Sequence, residues 1–352
     1  MTRTKQRTAH TVAPLEEVAT TLLSVIFGFL TPHDLALFRT VSVRFREVRA
    51  AWSHFVVSCR QSVTVLQHLA DRMSIKEVQC LYPIDLDILR DLRLHRVCVN
   101  LDMAGFSMGS IECYPRMLKD LAQYPVRELR LHPVSCREGE RLCFALPGLE
   151  TIEFCFSDRC ATFRLPRMRH LKNLTLRADD DEFEVEGLDQ NKQLRTLRAP
   201  VYALRNLSSQ HLQFIELWLN GIMSVKLALS RLNHCPLLDS IELHDACSSE
   251  CDDVDREPRC PGKLIPCKFL SLFDCDDDDL AFLSLVPRLR GLTITCKCTG
   301  EYQLSAAEVG NLKCLTQLRS LRLNHANMSQ SLTELQTRLP GIEVLYLTPE
   351  RP

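Results

Sequence analysis

The nine residues CPLLDSIEL, Cys235 to Leu243, decide how the rest of the chain is read. Leu238, Ile241 and Leu243 follow the order apolar-x-x-apolar-x-apolar. Side chains alternate along a strand, so the fourth and sixth positions of that motif share one face. Ser240, Glu242 and His244 then point the other way. Pro236 stops a preceding helix and suits an extended approach to a strand.

The same motif recurs along most of the chain. Before Cys235 it is carried by Ile75/Val78/Cys80, Leu94/Val97/Val99, Val126/Leu129/Leu131, Leu149/Ile152/Phe154, Leu171/Leu174/Leu176, Leu194/Leu197/Ala199 and Leu212/Ile215/Leu217. After it come Cys267/Leu270/Leu272, Leu289/Leu292/Ile294, Leu318/Leu321/Leu323 and Ile342/Leu345/Leu347. Successive units start between 18 residues apart (Leu194 to Leu212) and 32 apart (Leu94 to Val126). One such match is uninformative, but a ladder of this length is a strong repeat signal. Helix-like returns fall between the motifs at Met117–Leu121, Val225–Ser230, Leu280–Val286 and Leu332–Leu339. Pro125, Pro147, Pro236, Pro287 and Pro340 precede strands. The expected architecture is a curved α/β solenoid with strands lining its concave side.

These residues resemble the leucine-rich-repeat family over roughly residues 75–347, and Cys235-Pro236-Leu237-Leu238 resembles the entry of its cysteine-containing type. The resemblance implies an Asn or Cys ladder tying neighbouring turns together. Asn220 and Cys275 stand at the ninth place of their units, and Cys247, Cys298 and Asn327 at the tenth. The ladder is therefore expected to be partial.

A different block lies upstream, LLSVIFGFLTPHDLALFRTVSVRFREV, Leu22 to Val48. Leu22, Leu23, Ile26, Phe27 and Leu30 form one broad helical face. Thr31-Pro32-His33-Asp34 reads as a stop and restart, with Thr31 as N-cap and Pro32 at the first helical position. The second helix carries Leu35 and Phe38. Val41, Phe45, Val48 and Trp52 mark a third. Three short helices make a poor core alone and suit a partner.

This block is similar to the F-box. Leu22, Leu23, Ile26, Phe27, Leu30, Asp34, Leu35, Val41, Ser42, Phe45 and Arg46 match its pattern, while its leading Leu-Pro falls on Val18-Ala19 and its acidic residue on Thr21. An F-box followed by leucine-rich repeats is a family architecture. It implies a non-catalytic substrate receptor of an SKP–cullin–F-box ubiquitin ligase. Leu22, Leu23, Ile26, Phe27, Leu30, Pro32, Asp34, Leu35, Phe38, Val41 and Phe45 would bind the SKP-type adaptor and, through it, the cullin. The repeats would hold a target protein. The alternative is a repeat scaffold whose N-terminal helices only cap the solenoid, with no ubiquitin role. The expected division is a disordered basic leader at 1–14, an F-box-like domain at 15–52, a linker or cap at 53–74 and repeats at 75–352.

Outward positions of three successive units carry Phe214, Glu216 and Trp218, then Ser240, Glu242 and His244, then Phe269, Ser271 and Phe273. Aromatic side chains on an open face often anchor interfaces. Phe214, Glu216, Trp218, His244, Phe269 and Phe273 are the candidate target-binding residues. Arg130, His132, Arg177, Arg198 and Arg322 occupy equivalent positions elsewhere. Scattered and interrupted by Glu128, Glu153 and Glu216, they read as a solvated charged face.

Catalytic and metal chemistry finds little footing. The segment with His244, Cys247, Cys251, Cys260 and Cys267 lacks the close ligand pairs usual for zinc. Cys296-Lys297-Cys298 reads as repeat packing. Acidic runs at Asp179–Glu182 and Asp274–Asp279 lack the order of a calcium loop. No phosphate-cradling glycine loop, H-E-x-x-H or G-x-S-x-G is present. No enzyme activity, cofactor or metal is expected.

Composition agrees with a globular chain. Of 352 residues, 45% are apolar and 25% charged, with 43 Lys+Arg against 44 Asp+Glu and a net charge of −1. That balance predicts neither a nucleic-acid nor a membrane-surface partner. The longest apolar run, Leu22–Leu30, is far short of the ~20 residues of a membrane span. With no export signal read, the 17 cysteines are expected to be reduced thiols in the cytoplasm, the nucleus or both.

Overall fold

The computed structural model describes residues 50–57, 73–102 apart from 83, 85, 91 and 93, 114–158, 162–178, 183–200, 209–219, 225–245 apart from 233 and 234, 264–273, 280–295, 304–324 and 332–346. These fall into two compact units that divide between Arg127 and Glu128.

In the first unit, β1 (Ala50–Val57), β2 (Met73–Cys80) and β3 (Arg96–Asp102) form consecutive parallel pairs. Val78, Cys80, Val97 and Val99 are fully buried. A 3₁₀ turn at Leu86–Leu89 and α1 (Tyr114–Asp120) are also among the described residues of this unit, with Tyr124 Oη donating to the Leu86 carbonyl at 2.6 Å. Two expectations change here. Trp52 was expected on a third helix, but it lies in β1 opposite Ile75. Both ends of the supposed linker at 53–74 also belong to strands. The run Ala50–Val57 alternates only partly, and the helical spacing of Val41, Phe45, Val48 and Trp52 was followed past the point where the backbone is extended. The remaining F-box-like residues, Leu22 through Phe45, lie outside the described residues. So does the proposed leader.

In the second unit, parallel strands succeed one another in sequence: β4 (Val126–Val134), β5 (Thr151–Phe156), β7 (Asn173–Arg177), β9 (Thr196–Pro200), β10 (Phe214–Trp218), β11 (Ser240–His244), β12 (Phe269–Phe273), β13 (Gly291–Thr295), β14 (Ser320–Asn324) and β15 (Glu343–Tyr346). The returns include α2 (Cys136–Ala145), α3 (Val225–Arg231), a 3₁₀ turn at Ala281–Leu285, α4 (Ala306–Cys314) and α5 (Leu332–Arg338). The described strands and returns form a repetitive parallel α/β ladder, as the recurring motif predicts. Among the described residues no helix is long and apolar enough to cross a membrane.

The repeat motif sets the register. Ile152, Leu174, Leu197, Ile215, Ile241, Leu270, Leu292 and Leu321 occupy corresponding strand positions and are at most 1% exposed. Fully burying each such side chain contributes about 1.5–3 kcal/mol. The last unit is displaced. Leu321 pairs with Val344, which is buried, whereas Leu345 is only half-buried. The sequence Ile342-Glu343-Val344-Leu345 offers two apolar choices, and the backbone bond from Glu343 N to Arg319 O selects Val344.

Two returns were not read from the sequence. Both are announced by serine caps. Ser135 Oγ accepts from Glu138 N, and Ser305 with Glu308 forms a reciprocal capping box at the start of α4. Their polar sequences conceal the helices from a search for apolar periodicity. A second sheet was also not foreseen. In it β6 (Thr162–Arg164) pairs with β8 (Glu184–Glu186), and Phe163 and Phe183 pack with Phe154 and Phe156 at centroid distances of 5.3–6.1 Å.

Asn191 and Gly187 fix this insertion. Asn191 is 1% exposed; its Oδ1 accepts from Met168 N, and its Nδ2 donates to the Gly187 and Pro166 carbonyls. Gly187 has φ +85°, and a Cβ there would lie 2.2 Å from the Leu165 carbonyl oxygen. Gly341 also has φ +85°, but nothing lies within 4 Å of its Cβ position. Urea unfolding separates the two costs. Gly341→Ala should lose only the left-handed penalty of about 1–2 kcal/mol. Gly187→Ala should lose clearly more, because backbone must also move.

Candidate functional site

Strands β10, β11 and β12 are the part of the second unit that gathers the candidate residues. Their burial alternates, with Ile215, Leu217, Ile241, Leu243, Leu270 and Leu272 inward. The outward side chains form a three-by-three grid because the strands pair in register. Phe214, Ser240 and Phe269 make the first row. Glu216, Glu242 and Ser271 make the second, and Trp218, His244 and Phe273 the third. Aromatic rings therefore stand at the four corners, with Glu242 at the centre.

Ring contacts order the third row. The His244 ring stacks on Phe273 with centroids 4.6 Å apart and planes inclined by 12°. Trp218 lies 6.4 Å from His244 on the other side. In the first row Phe269 is 48% exposed. Its strand neighbour is Gly291, where a Cβ would come within 3.0 Å of the Phe269 ring. The missing side chain is what lets the ring settle there.

Charge enters from the flank. Arg198 on β9 is opposite Glu216, with Nε 2.9 Å from Oε2, and its guanidinium lies 5.6 Å from the Phe214 centroid. Arg177 on β7 lies 5.6 Å from the Trp218 centroid and 3.8 Å from Glu153. Arg130 contacts both Glu128 and Glu153. The arginines read as a scattered solvated face are thus partly organised, two of them over corner rings. The missed signal was positional, since Arg198 precedes Glu216 at the same place of the neighbouring unit. Arg322 is exposed on β14.

Glu242 is different. Its strand neighbours are Glu216 and Ser271, so a like charge stands opposite it on one side and a neutral hydroxymethyl on the other. Like charges directly opposite across a sheet are unfavourable. Among the described residues Glu242 accepts no hydrogen bond. Partial burial first, then the Glu216 charge, raise its pKa above the ordinary carboxylate value; His244 and Arg198 pull the other way. His244 Nε2 lies 3.5 Å from Glu216 Oε1 and is buried without a hydrogen bond.

Glu216, Glu242 and His244 each bring one donor atom within 4.8 Å of the others, an arrangement that could hold a divalent cation. Arg198 already places its own charge on Glu216, which works against a second cation at that carboxylate. Of the cysteine-rich segment, His244 and Cys267 are among the described residues. Cys267 is fully buried, its Sγ donating to the Phe269 carbonyl at 2.8 Å, and burial pushes its pKa up to about 12. Cys247, Cys251 and Cys260 lie outside the described residues, as do the ladder positions Asn220, Cys247, Cys275, Cys298 and Asn327.

Other thiols are likewise structural. Burial raises the pKa of Cys80 to about 12 and moves those of Cys143 and Cys235 upward. Such thiols remain protonated and unreactive. Cys136 departs from the expectation of a wholly reduced set, because it is disulfide-bonded.

No protein-family model matches the chain. No curated protein matches it. Among solved structures the chain is similar to an internalin from Listeria monocytogenes str. 4b F2365, with 13% identity over 91% of this chain and 95% of that one and a TM-score of 0.41. The fold reading rests on the strand register described above.

The raised pKa of Glu242 has a signed consequence. A carboxyl whose folded pKa exceeds its unfolded value contributes stability below the unfolded pKa, and loses it as pH rises through the folded one. Glu242→Gln should therefore melt at a higher temperature than the wild type at pH 7. The gap should close as pH falls through the carboxylate range. Thermal melts of both proteins across pH 4–7 check this, and a variant less stable at pH 7 would contradict the assignment.

Proposed function

We propose that this protein is a non-catalytic recognition scaffold that captures a target protein on the outward face of β10–β12. The observation that carries the reading is the grid itself. Four aromatic corners surround polar and charged positions on a rigid parallel sheet. Large rings presented on ordered backbone lose little entropy when they become an interface, and they dominate binding energies where they are buried by a partner. Phe214, Glu216, Trp218, His244, Phe269 and Phe273 are its contact residues.

We further infer, from the resemblance of Leu22–Val48 to the F-box, that the captured protein is presented to an SKP–cullin ubiquitin ligase. In that role the chain supplies proximity rather than chemistry. Apolar helix faces carrying Leu22, Leu23, Ile26, Phe27, Leu30, Leu35, Phe38, Val41 and Phe45 would dock in an adaptor groove, with Pro32 and Asp34 shaping the turn. Placement in the cytoplasm or nucleus, where that machinery works, belongs to the same proposal.

Affinity purification of the full chain tests both parts separately. Retention of an SKP-type adaptor and cullin supports the ligase role, and their absence beside a functional F-box control removes it. Trp218→Ala combined with Phe273→Ala should weaken target capture by at least about 30-fold, as hot-spot truncations of ~2 kcal/mol or more imply. Circular dichroism should stay unchanged, because both side chains face outward. Undiminished capture would exclude the grid as the binding face.

A further inference from the structure

In the second unit the residue just ahead of each strand forms a column along the edge where the chain enters the sheet. Backbone bonds hold its members side by side. Lys172 N donates to the Glu150 carbonyl, and Lys268 N to the Asp239 carbonyl. Both lysines are neutralised by that same neighbour, Lys172 at 2.8 Å from Glu150 and Lys268 in an ion pair with Asp239. The column then changes character. Arg290 N donates to the Lys268 carbonyl at 2.7 Å and Arg319 N to the Arg290 carbonyl at 2.8 Å, so two exposed arginines stand on adjacent strands. Neighbouring strands lie roughly 4.8 Å apart, and like charges at that spacing are unfavourable. Among the described residues neither guanidinium has an ion-pair or hydrogen-bond partner. The acid nearest in register, Glu343, is opposite Ser320 and pairs with neither.

The surroundings deepen the imbalance. Residues 264–273, 280–295 and 304–324 carry Lys268, Arg288, Arg290, Lys313, Arg319 and Arg322. Their one acidic residue, Glu308, is 3% exposed and closed into the capping box of α4. Arg322, on the outward side of β14, is opposite Thr293 and Leu345, and it too has no acidic partner among the described residues. We propose that the edge formed by Arg290 and Arg319, with Arg322 on the same strand as Arg319, receives a run of carboxylates from the captured partner, an acidic peptide segment. Charge complementarity selects this occupant. A guanidinium fork matches a carboxylate with two parallel hydrogen bonds, and two forks on adjacent strands suit successive acidic residues. The edge also adjoins the aromatic grid. Phe269 is opposite Gly291, the residue that follows Arg290. A partner seated on that exposed ring would carry its acidic run onto the arginines, whose charge would also steer the encounter.

The inference takes its partner from the reading of β10–β12 as the recognition face, and the test separates the two. The probe is fluorescein-labelled hexaglutamate, with hexaglutamine as the neutral control, followed by fluorescence anisotropy on the full chain at low ionic strength. Wild-type protein should bind hexaglutamate saturably and at least about tenfold more tightly than hexaglutamine, and the preference should shrink as salt rises to about 0.15 M. Arg290→Gln combined with Arg319→Gln should lose about tenfold of that affinity, the sum of two exposed charge contacts. Its thermal melt should not fall, because neither side chain is tied to the fold. Arg195→Gln removes an exposed arginine of the same column whose flanking Lys172 is neutralised; it should change the affinity by less than about twofold. Equal binding of the two peptides, affinity unchanged in the double variant, or an equal loss in Arg195→Gln overturns the proposal. Tighter binding of hexauridylate than of hexaglutamate, lost in the same double variant, replaces the peptide by a nucleic acid and overturns it as well. The grid variant Trp218→Ala, Phe273→Ala should bind hexaglutamate as the wild type does. Target capture undiminished in that variant, with hexaglutamate binding intact, rejects the grid and keeps the arginine edge. Capture lost there, with hexaglutamate binding unchanged in the arginine double variant, keeps the grid and rejects the edge.

Discussion

Parallel backbone pairing between successive repeats is the constraint on which the rest depends. Once Phe214 is opposite Ser240 and Ser240 opposite Phe269, every other side chain on the three strands is assigned a face. A slip of one residue would turn Ile215, Ile241 and Leu270 outward and drive Glu216 and Glu242 into the core. Transferring those apolar groups to water and those carboxylates out of it would be unfavourable on both counts. The buried leucines thus do more than stabilise the repeats. They aim the rings and charges of the opposite face.

That division explains why the outward residues can be electrostatically unfavourable. Two glutamates directly opposite one another would be a poor choice for a sheet whose only task was to hold together. The buried ladder tolerates the arrangement because its own interactions do not involve those carboxylates. Arg198 compensates Glu216, and no described side chain does the same for Glu242 by hydrogen bonding.

Much of this was legible in the sequence where periodicity was strong. The motif positions led directly to the strands from Val78 to Leu323, and the proline-marked returns located α3, α5 and the turn at Ala281–Leu285. Legibility failed where two apolar registers competed, as at Val344 and Leu345. It failed again where a helix-like spacing ran into a strand at Trp52. Polar helices such as α4 were hidden because a capping box, not an apolar stripe, defines them. At the candidate site the sequence ordered the rings but not their contacts. Reading Arg198 as a solvated charge missed its neighbour across the sheet, since cross-strand proximity is visible only when two units are placed in register. Gly291 was silent for a related reason, because what matters there is the Phe269 ring that its missing side chain admits.

The flanking Arg198 has one more consequence. A tethered guanidinium that cannot diffuse away gives the face a standing local charge, fixed by heredity rather than by concentration. Substituting an outward residue leaves the buried ladder untouched. The outward chemistry of the sheet can therefore drift one codon at a time, while the architecture beneath stays the same.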